Sequence, residues 1–265
     1  MATRVSDSSP AAARLRSAQS QLTRLLVRDL RGLRRLIDPA RLQESLPLWM
    51  DAVRALVGQY GAASATLAAR SYDGQREAAN APGRFGAEPA SGPPDEQVEA
   101  SLRWATKDLW STDEEQPPFE ARLAEAEKRA QAVAQKLVAD QGRATIREAV
   151  DRDRGAVAYA RAAALGGCSF CKLMASRGAV YKNAQTAGRE ANERFTGDAS
   201  VAKFHDNCHC TIVPVFRGQQ FQLSDHAREW DRLYREYAQG HSGDQLRLFR
   251  RALAEHDRNP LPAAH

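Results

Sequence analysis

The chain has 265 residues, enough for one large domain or two small ones with a real core. Hydrophobic residues make up 43% and charged residues 27%, values of a soluble folded protein and not of a disordered one; no apolar run approaches the roughly 18 residues that cross a bilayer. Net charge is +5, and it is unevenly spread: residues 1–37 hold eight arginines against Asp7 and Asp29, a local +6, so the remainder is nearly neutral.

Met1 to Pro10 has no apolar stretch of the signal-peptide kind, which predicts a chain made and kept in a cytoplasm. Leu15, Leu22, Leu26, Leu30, Leu33 and Ile37 recur at spacings of three, four and seven and predict an amphipathic helix over 12–37. Asp38-Pro39 ends it, because the residue before proline is pushed out of the helical region. Leu48, Ala52, Leu56 and Tyr60 predict a second helix that stops near Gly61. The alanine-rich run 62–79 predicts a third, and the three together a small bundle. Residues 80–95 are dense in proline and glycine and read as a linker. Helix resumes near Asp95 with Val98, Leu102, Ala105 and Leu109 on one face, and 119–165 has helical composition with a candidate break at Gly142. Past Gly166-Gly167 the chain turns irregular, and Ile212, Val213, Val215 and Phe216 predict a strand. Trp230, Leu233, Tyr234 and Tyr237 then mark a helix from Ser224. Ser242 and Gln245 have capping-box spacing for a last one. The expected division is 1–80, 81–95, 96–165, 166–217 and 218–265.

The chemistry lies in 166–217, which holds all four cysteines as Cys168-Ser-Phe-Cys171 and His205-Asp-Asn-Cys208-His209-Cys210. A C-x-x-C turn presents two sulfurs to one point, and zinc needs four N or S ligands in a tetrahedron. Cys208 and Cys210, two apart on an extended segment, complete an all-cysteine site. Alternatively His205 and Cys208 supply the second pair. Two disulfides, or four unliganded thiols, are the competing readings. With four protein ligands no position is left for water, so the zinc would be structural and not catalytic. Enzyme signatures are missing: no His-x-Glu precedes Cys168, and there is no H-E-x-x-H, P-loop or G-x-S-x-G. A nucleophilic cysteine, or Ser169, Ser176 or Ser200, beside His205 would be needed for a protease, and nothing local supports either.

These motifs carry a resemblance. Cys168 to Tyr181, with Gly178-Ala179-Val180-Tyr181 as a Gly-x-Val-aromatic turn, and Lys203 to Phe216, with His205-x-x-Cys208-x-Cys210 running into an apolar strand, resemble the Mu F-like family of phage minor head proteins. The strong part covers about fifty residues. His209 departs from it, standing where many relatives carry arginine. The resemblance implies a structural, non-enzymatic minor capsid protein assembled in the host cytoplasm. It would reside in the head interior near the portal, with the portal and major capsid protein as partners and no membrane or small-molecule substrate.

The expected fold is mainly α, helical bundles with a small zinc-bound, β-containing module near the C-terminal third. Its Zn2+ ligands would come from Cys168, Cys171, Cys208, Cys210 and His205. Arg24, Arg28, Arg31, Arg34 and Arg35 would contact the portal or packaged DNA. A capsid maturation protease and a zinc-braced nucleic-acid-binding module are the alternative functions.

Overall fold

The computed structural model describes residues 3–110, 116–180 and 210–258, and these residues are mainly helical, as expected from the sequence. Pro10, pre-set for a first helical turn, opens α1 (Pro10–Gly32), and the Ser9 hydroxyl accepts from the Ala12 N–H at 3.3 Å. A 3-10 turn over Leu33–Leu36 follows, and a second one at Pro39–Arg41 leads into α2 (Leu42–Ala78). Then come α3 (Asp95–Thr106), α4 (Phe119–Arg152), α5 (Ser169–Ser176), α6 (Asp225–Tyr237) and α7 (Gln245–His256). Four strands complete the described part: β1 (Thr3–Ser6), β2 (Ala156–Ala162), β3 (Thr211–Phe216) and β4 (Gln219–Gln222).

The break expected at Gly61 does not occur: α2 is one helix of 37 residues, and α4 likewise runs through Gly142. Both glycines mark close approach instead. A Cβ on Gly61 would lie 2.1 Å from Gln141 Oε1, and one on Gly142 would lie 2.6 Å from Ser64 Oγ. A mid-helix glycine costs about 1 kcal/mol against alanine, and here the packing of α2 on α4 outweighs it.

The stretch between α2 and α3 is bound along its length. Asn80, at φ 48°, ends α2 in the left-handed conformation that asparagine tolerates. Arg76 Nη2 donates to the carbonyls of Pro82 (2.7 Å) and Gly83 (2.9 Å), and Phe85 packs edge-on against Tyr72. The Ala90 N–H donates to Thr145 Oγ1, and its carbonyl accepts from Gln141 Nε2.

Helix was expected up to residue 165, yet α4 ends at Arg152 and Ala156–Ala162 is a strand. Alanine favours helix locally, but here every second small side chain packs under the β-branched row of β3. β2 and β3 run antiparallel, with Ala158 opposite Val215, Ala160 opposite Val213 and Ala162 opposite Thr211. β1 was not read from the sequence; it lies parallel to β4, with Val5 opposite Phe221. The last helix starts at Gln245, and the capping box expected from Ser242 is not formed: the Gln245 side chain accepts from Tyr234 OH at 3.2 Å instead.

Two main cores result. The first gathers Leu26, Leu46, Val53, Leu102 and Leu137 from α1 to α4. The second gathers Tyr72, Phe216, Trp230 and Phe249 around the sheet of β2 and β3, with α5, α6 and α7. No helix among the described residues is long and apolar enough to cross a membrane.

Candidate functional site

Cys168, Cys171 and Cys210 sit where the second core meets the β2–β3 sheet. After Ala162 the chain turns through Gly167, whose N–H donates to the Ala164 carbonyl at 2.8 Å. A Cβ there would lie 2.9 Å from the Ala164 carbonyl oxygen, a backbone atom that cannot give way cheaply, so this turn favours glycine. Cys168 then caps α5 at its N-terminus, its Sγ accepting from the Cys171 N–H at 3.4 Å. Amide-to-sulfur bonds of this kind favour a thiolate and hold a C-x-x-C pair with both sulfurs on one side. Cys210 immediately precedes β3, whose Thr211 pairs with Ala162. The sheet register therefore brings Cys210 to the end from which the Cys168–Cys171 turn departs. Cys171 and Cys210 are buried and Cys168 is exposed. Arg143, on α4, fixes the start of β3 by donating from Nε to the Cys210 carbonyl at 3.0 Å, while its Nη1 donates to Asp140 at 2.8 Å.

Cys208 and His205, the other expected ligands, lie outside the described residues. Among the described residues no cluster of three or more His, Cys, Asp or Glu is arranged to hold a metal. The donor types present, soft sulfurs on a C-x-x-C turn, are those that zinc takes.

The arginines expected to face a partner lie on α1 and the 3-10 turn after it. Arg24, Arg28, Arg31 and Arg35 follow one another at spacings of four, three and four, and all are exposed, so they form a single stripe. Arg28 pairs with its neighbour Asp29 at 2.9 Å. Arg24, Arg31 and Arg35 make no ion pair among the described residues. Arg34 points elsewhere: it bridges to α4 through Glu120 (2.6 Å) and Glu127 (2.7 Å) and so belongs to the bundle's own packing.

Three polar clusters carried no sequence signal, because their members are far apart in the chain. Asp153, past the end of α4, accepts from Tyr72 OH (3.0 Å), Arg76 Nε (2.8 Å) and the Gly155 N–H (2.7 Å). Burial, with the Asp153 charge beside it, pushes the Tyr72 phenol well above its usual range. Lys172, next to Cys171, pairs with Asp257 at 2.7 Å with both side chains under 5% exposed, and its ammonium lies over the Trp230 ring. Asp7 accepts from the Ser224 N–H (2.8 Å) and Ser224 Oγ–H (2.6 Å), and His226 Nε2 lies 3.5 Å from it. That last group has the residue types of a hydrolase triad but a different geometry. The Ser224 proton goes to Asp7, and His226 meets both partners through the same nitrogen, so the cluster works as a helix cap and a tether for β1.

No curated protein and no solved structure matches this chain. A family model described as VG15 protein matches residues 6–238, which takes in the first core, the second core apart from α7, the arginine stripe and every cysteine. The chain thus belongs to the VG15 protein family, a family of phage gene products.

Proposed function

We propose that the protein is a structural minor capsid protein of the phage head interior, of the Mu F-like kind, acting in head morphogenesis near the portal. What supports this reading is a chain matched over most of its length by a phage family, together with a β2–β3 register that starts β3, just after Cys210, at the end of the sheet from which the chain leaves for the Cys168–Cys171 turn. The module would bind one structural Zn2+ through Cys168, Cys171 and Cys210, with Cys208 or His205 completing the set. The ion would tie the return of the chain at Cys210 to the base of α5. A structural zinc contributes on the order of 10 kcal/mol at neutral pH. Cys208→Ser is therefore expected to unfold the module, and full retention of helicity, thermal stability and assembly in that variant would remove zinc from the proposal.

The exposed stripe Arg24, Arg28, Arg31 and Arg35 favours a contact with packaged DNA or an acidic portal surface. Major capsid protein and portal are the proposed neighbours in the particle. Quantitative mass spectrometry of purified mature particles tests the reading. Full-length chain at a few copies per portal is the expected result. Its absence beside cleaved major capsid protein would move the assignment to an assembly factor or maturation protease that leaves before the head matures. Charge reversal at Arg28, Arg31 and Arg35 is expected to abolish incorporation, and unchanged incorporation would reject the stripe as the contact.

A further inference from the structure

The basic row on α1 is longer than its four arginines. Continued toward the N-terminus at the same alternation of three and four, it takes in Gln21, Ser17 and Arg14, so that positions 14, 17, 21, 24, 28, 31 and 35 form one line. All seven side chains are exposed, and none is acidic or apolar. From Arg14 to Arg31 the line runs about 25 Å at the 1.5 Å rise of an α-helix, and Arg35 carries it onto the following 3-10 turn. At its first position a second cation joins from α2. Arg14 and Arg70 border one groove between the two helices, lined also by Ala11, Ala18 and Leu67, and no acidic residue lines it.

On other helices, exposed arginines are met by an acid of the same helix. Arg103 meets Glu99 on α3, Arg232 meets Glu229 on α6 and Arg251 meets Glu255 on α7. Pairs three and four residues apart are the ordinary make-up of a solvated helix face. α1 departs from that pattern. Its single acid, Asp29, lies beside the row, where it pairs with Arg28 and accepts from Tyr60 OH. Arg14, Arg24, Arg31, Arg35 and Arg70 make no ion pair among the described residues. Five like charges are thus held exposed and side by side, without compensation from their own helices.

We propose that this row is a binding surface for double-stranded DNA that grips the phosphate backbone and not the base edges, with Arg14 and Arg70 taking phosphate from the two sides of their groove. It rests on the contact proposed above for the stripe, lengthened to Arg14 and Arg70, and takes nucleic acid rather than an acidic protein surface as the partner. Two properties of the row make that choice. Duplex DNA carries one charge per about 1.7 Å of its axis, so a straight cationic line meets phosphates in any register, whereas a protein would have to present carboxylates at matching points. Protein interfaces also depend on buried apolar anchors, and the row supplies none, since the exposed Leu25 and Leu36 lie to one side of it. Guanidinium forks suit phosphate oxygens through bidentate, charge-assisted bonds, and Ser17 and Gln21 add neutral donors between them.

The test is a fluorescence-anisotropy titration of the purified full-length chain with two DNA duplexes of unrelated sequence, each of about 30 base pairs, repeated across a range of salt. Polyglutamate serves as the acidic-polypeptide probe. Equal affinity for the two duplexes is expected, with polyglutamate bound roughly tenfold more weakly or worse. The logarithm of the binding constant should fall against the logarithm of salt with a slope of about −4.5, the value for five phosphate contacts. Arg14→Gln combined with Arg70→Gln should reduce that slope by about 2, and Arg24→Gln combined with Arg31→Gln by a similar amount, with circular dichroism confirming an intact fold. Arg251→Gln, exposed but paired on α7, should leave it unchanged. Four results overturn the site: no binding at low salt, a slope indifferent to the row variants, a strong preference for one duplex, or polyglutamate held as tightly as DNA. The last of these assigns the row to an acidic protein surface. Particles that contain the chain, when the purified protein binds no DNA, reject this site and keep the capsid reading; DNA binding by a chain absent from particles does the reverse.

Discussion

Leu26, Val53, Leu102 and Leu137 fill the core at one end of α2 and α4, and the ion pairs there, such as Arg34 with Glu120 and Glu127, stay at its surface. At the other end of the same two helices, Tyr72, Phe216, Trp230 and Phe249 pack together with ions inside: Arg76 with Asp153, and Lys172 with Asp257. Apolar burial is non-directional, so the first region can repack when one side chain changes. Buried ion pairs are directional and leave a stranded charge when one member goes. The second region, which also carries Cys171 and Cys210, is therefore the one in which geometry is most tightly specified and single substitutions are most costly.

The largest expected effect follows from this difference. Asp153→Ala strands Arg76 and removes the principal acceptor of Tyr72, and should cost about 3–5 kcal/mol in urea unfolding. The rest of the contrast is sharpened at the second pair. Lys172→Met alone should cost a similar amount, whereas Lys172→Met combined with Asp257→Leu should recover most of it, because two apolar groups replace two ions. If the double variant is as unstable as the single one, the pair does more than satisfy itself. Within the bundle the expected effects are smaller and depend on space. Gly61→Ala meets Gln141 and should cost about 1–3 kcal/mol, while Gly58→Ala, with nothing within 4 Å, should stabilise by about 0.4–1 kcal/mol. Equal effects at the two glycines would remove close approach as the reason for Gly61.

A further contrast appears with pH. Burial raises the Asp7 carboxyl, but hydrogen bonds from His226 and Ser224 together hold it below the ordinary aspartate value of 3.8. Its contribution is thus present above pH 3.8 and is lost as pH falls through the lower folded value. Asp7→Asn should flatten the acid limb of the stability profile by about 1 kcal/mol, read as urea midpoints at pH 6 and pH 3. An unchanged limb would assign acid sensitivity to other carboxylates. The smallest effect is expected at the stripe: Arg24→Gln and Arg31→Gln should shift stability by less than about 0.5 kcal/mol, since both are exposed and neither forms an ion pair among the described residues.

Sequence periodicity gave access mainly to the first region. The heptad-like leucines of α1 and the face of Val98, Leu102, Ala105 and Leu109 in α3 are local signals, and both helices are present. The same local reading failed where a tertiary neighbour decided the outcome. Gly61 and Gly142 looked like breaks because the partner helix that needs them is invisible in sequence. The alanines of 156–162 looked helical because the strand that covers them lies some fifty residues on. Ile212, Val213, Val215 and Phe216 were legible as a strand because their own side chains carry the preference. The sulfur pattern predicts a cluster from its spacing alone, and two of its members, His205 and Cys208, lie outside the described residues, among which no metal-holding group occurs. Asp7 with Ser224, Tyr72 with Asp153 and Lys172 with Asp257 have no spacing to detect.

β1 pairs in parallel with β4, and Asp7 joins Ser224 across 217 positions of sequence. On the ribosome the residues of β1 are therefore made long before the strand that receives them. Closing so long a loop is slow compared with winding α1 through α4. The bundle can form while synthesis continues, whereas the N-terminal strand must wait for β4 and α6 to emerge. Docking of β1 would then be among the last events of folding, and would report that both ends of the chain have arrived.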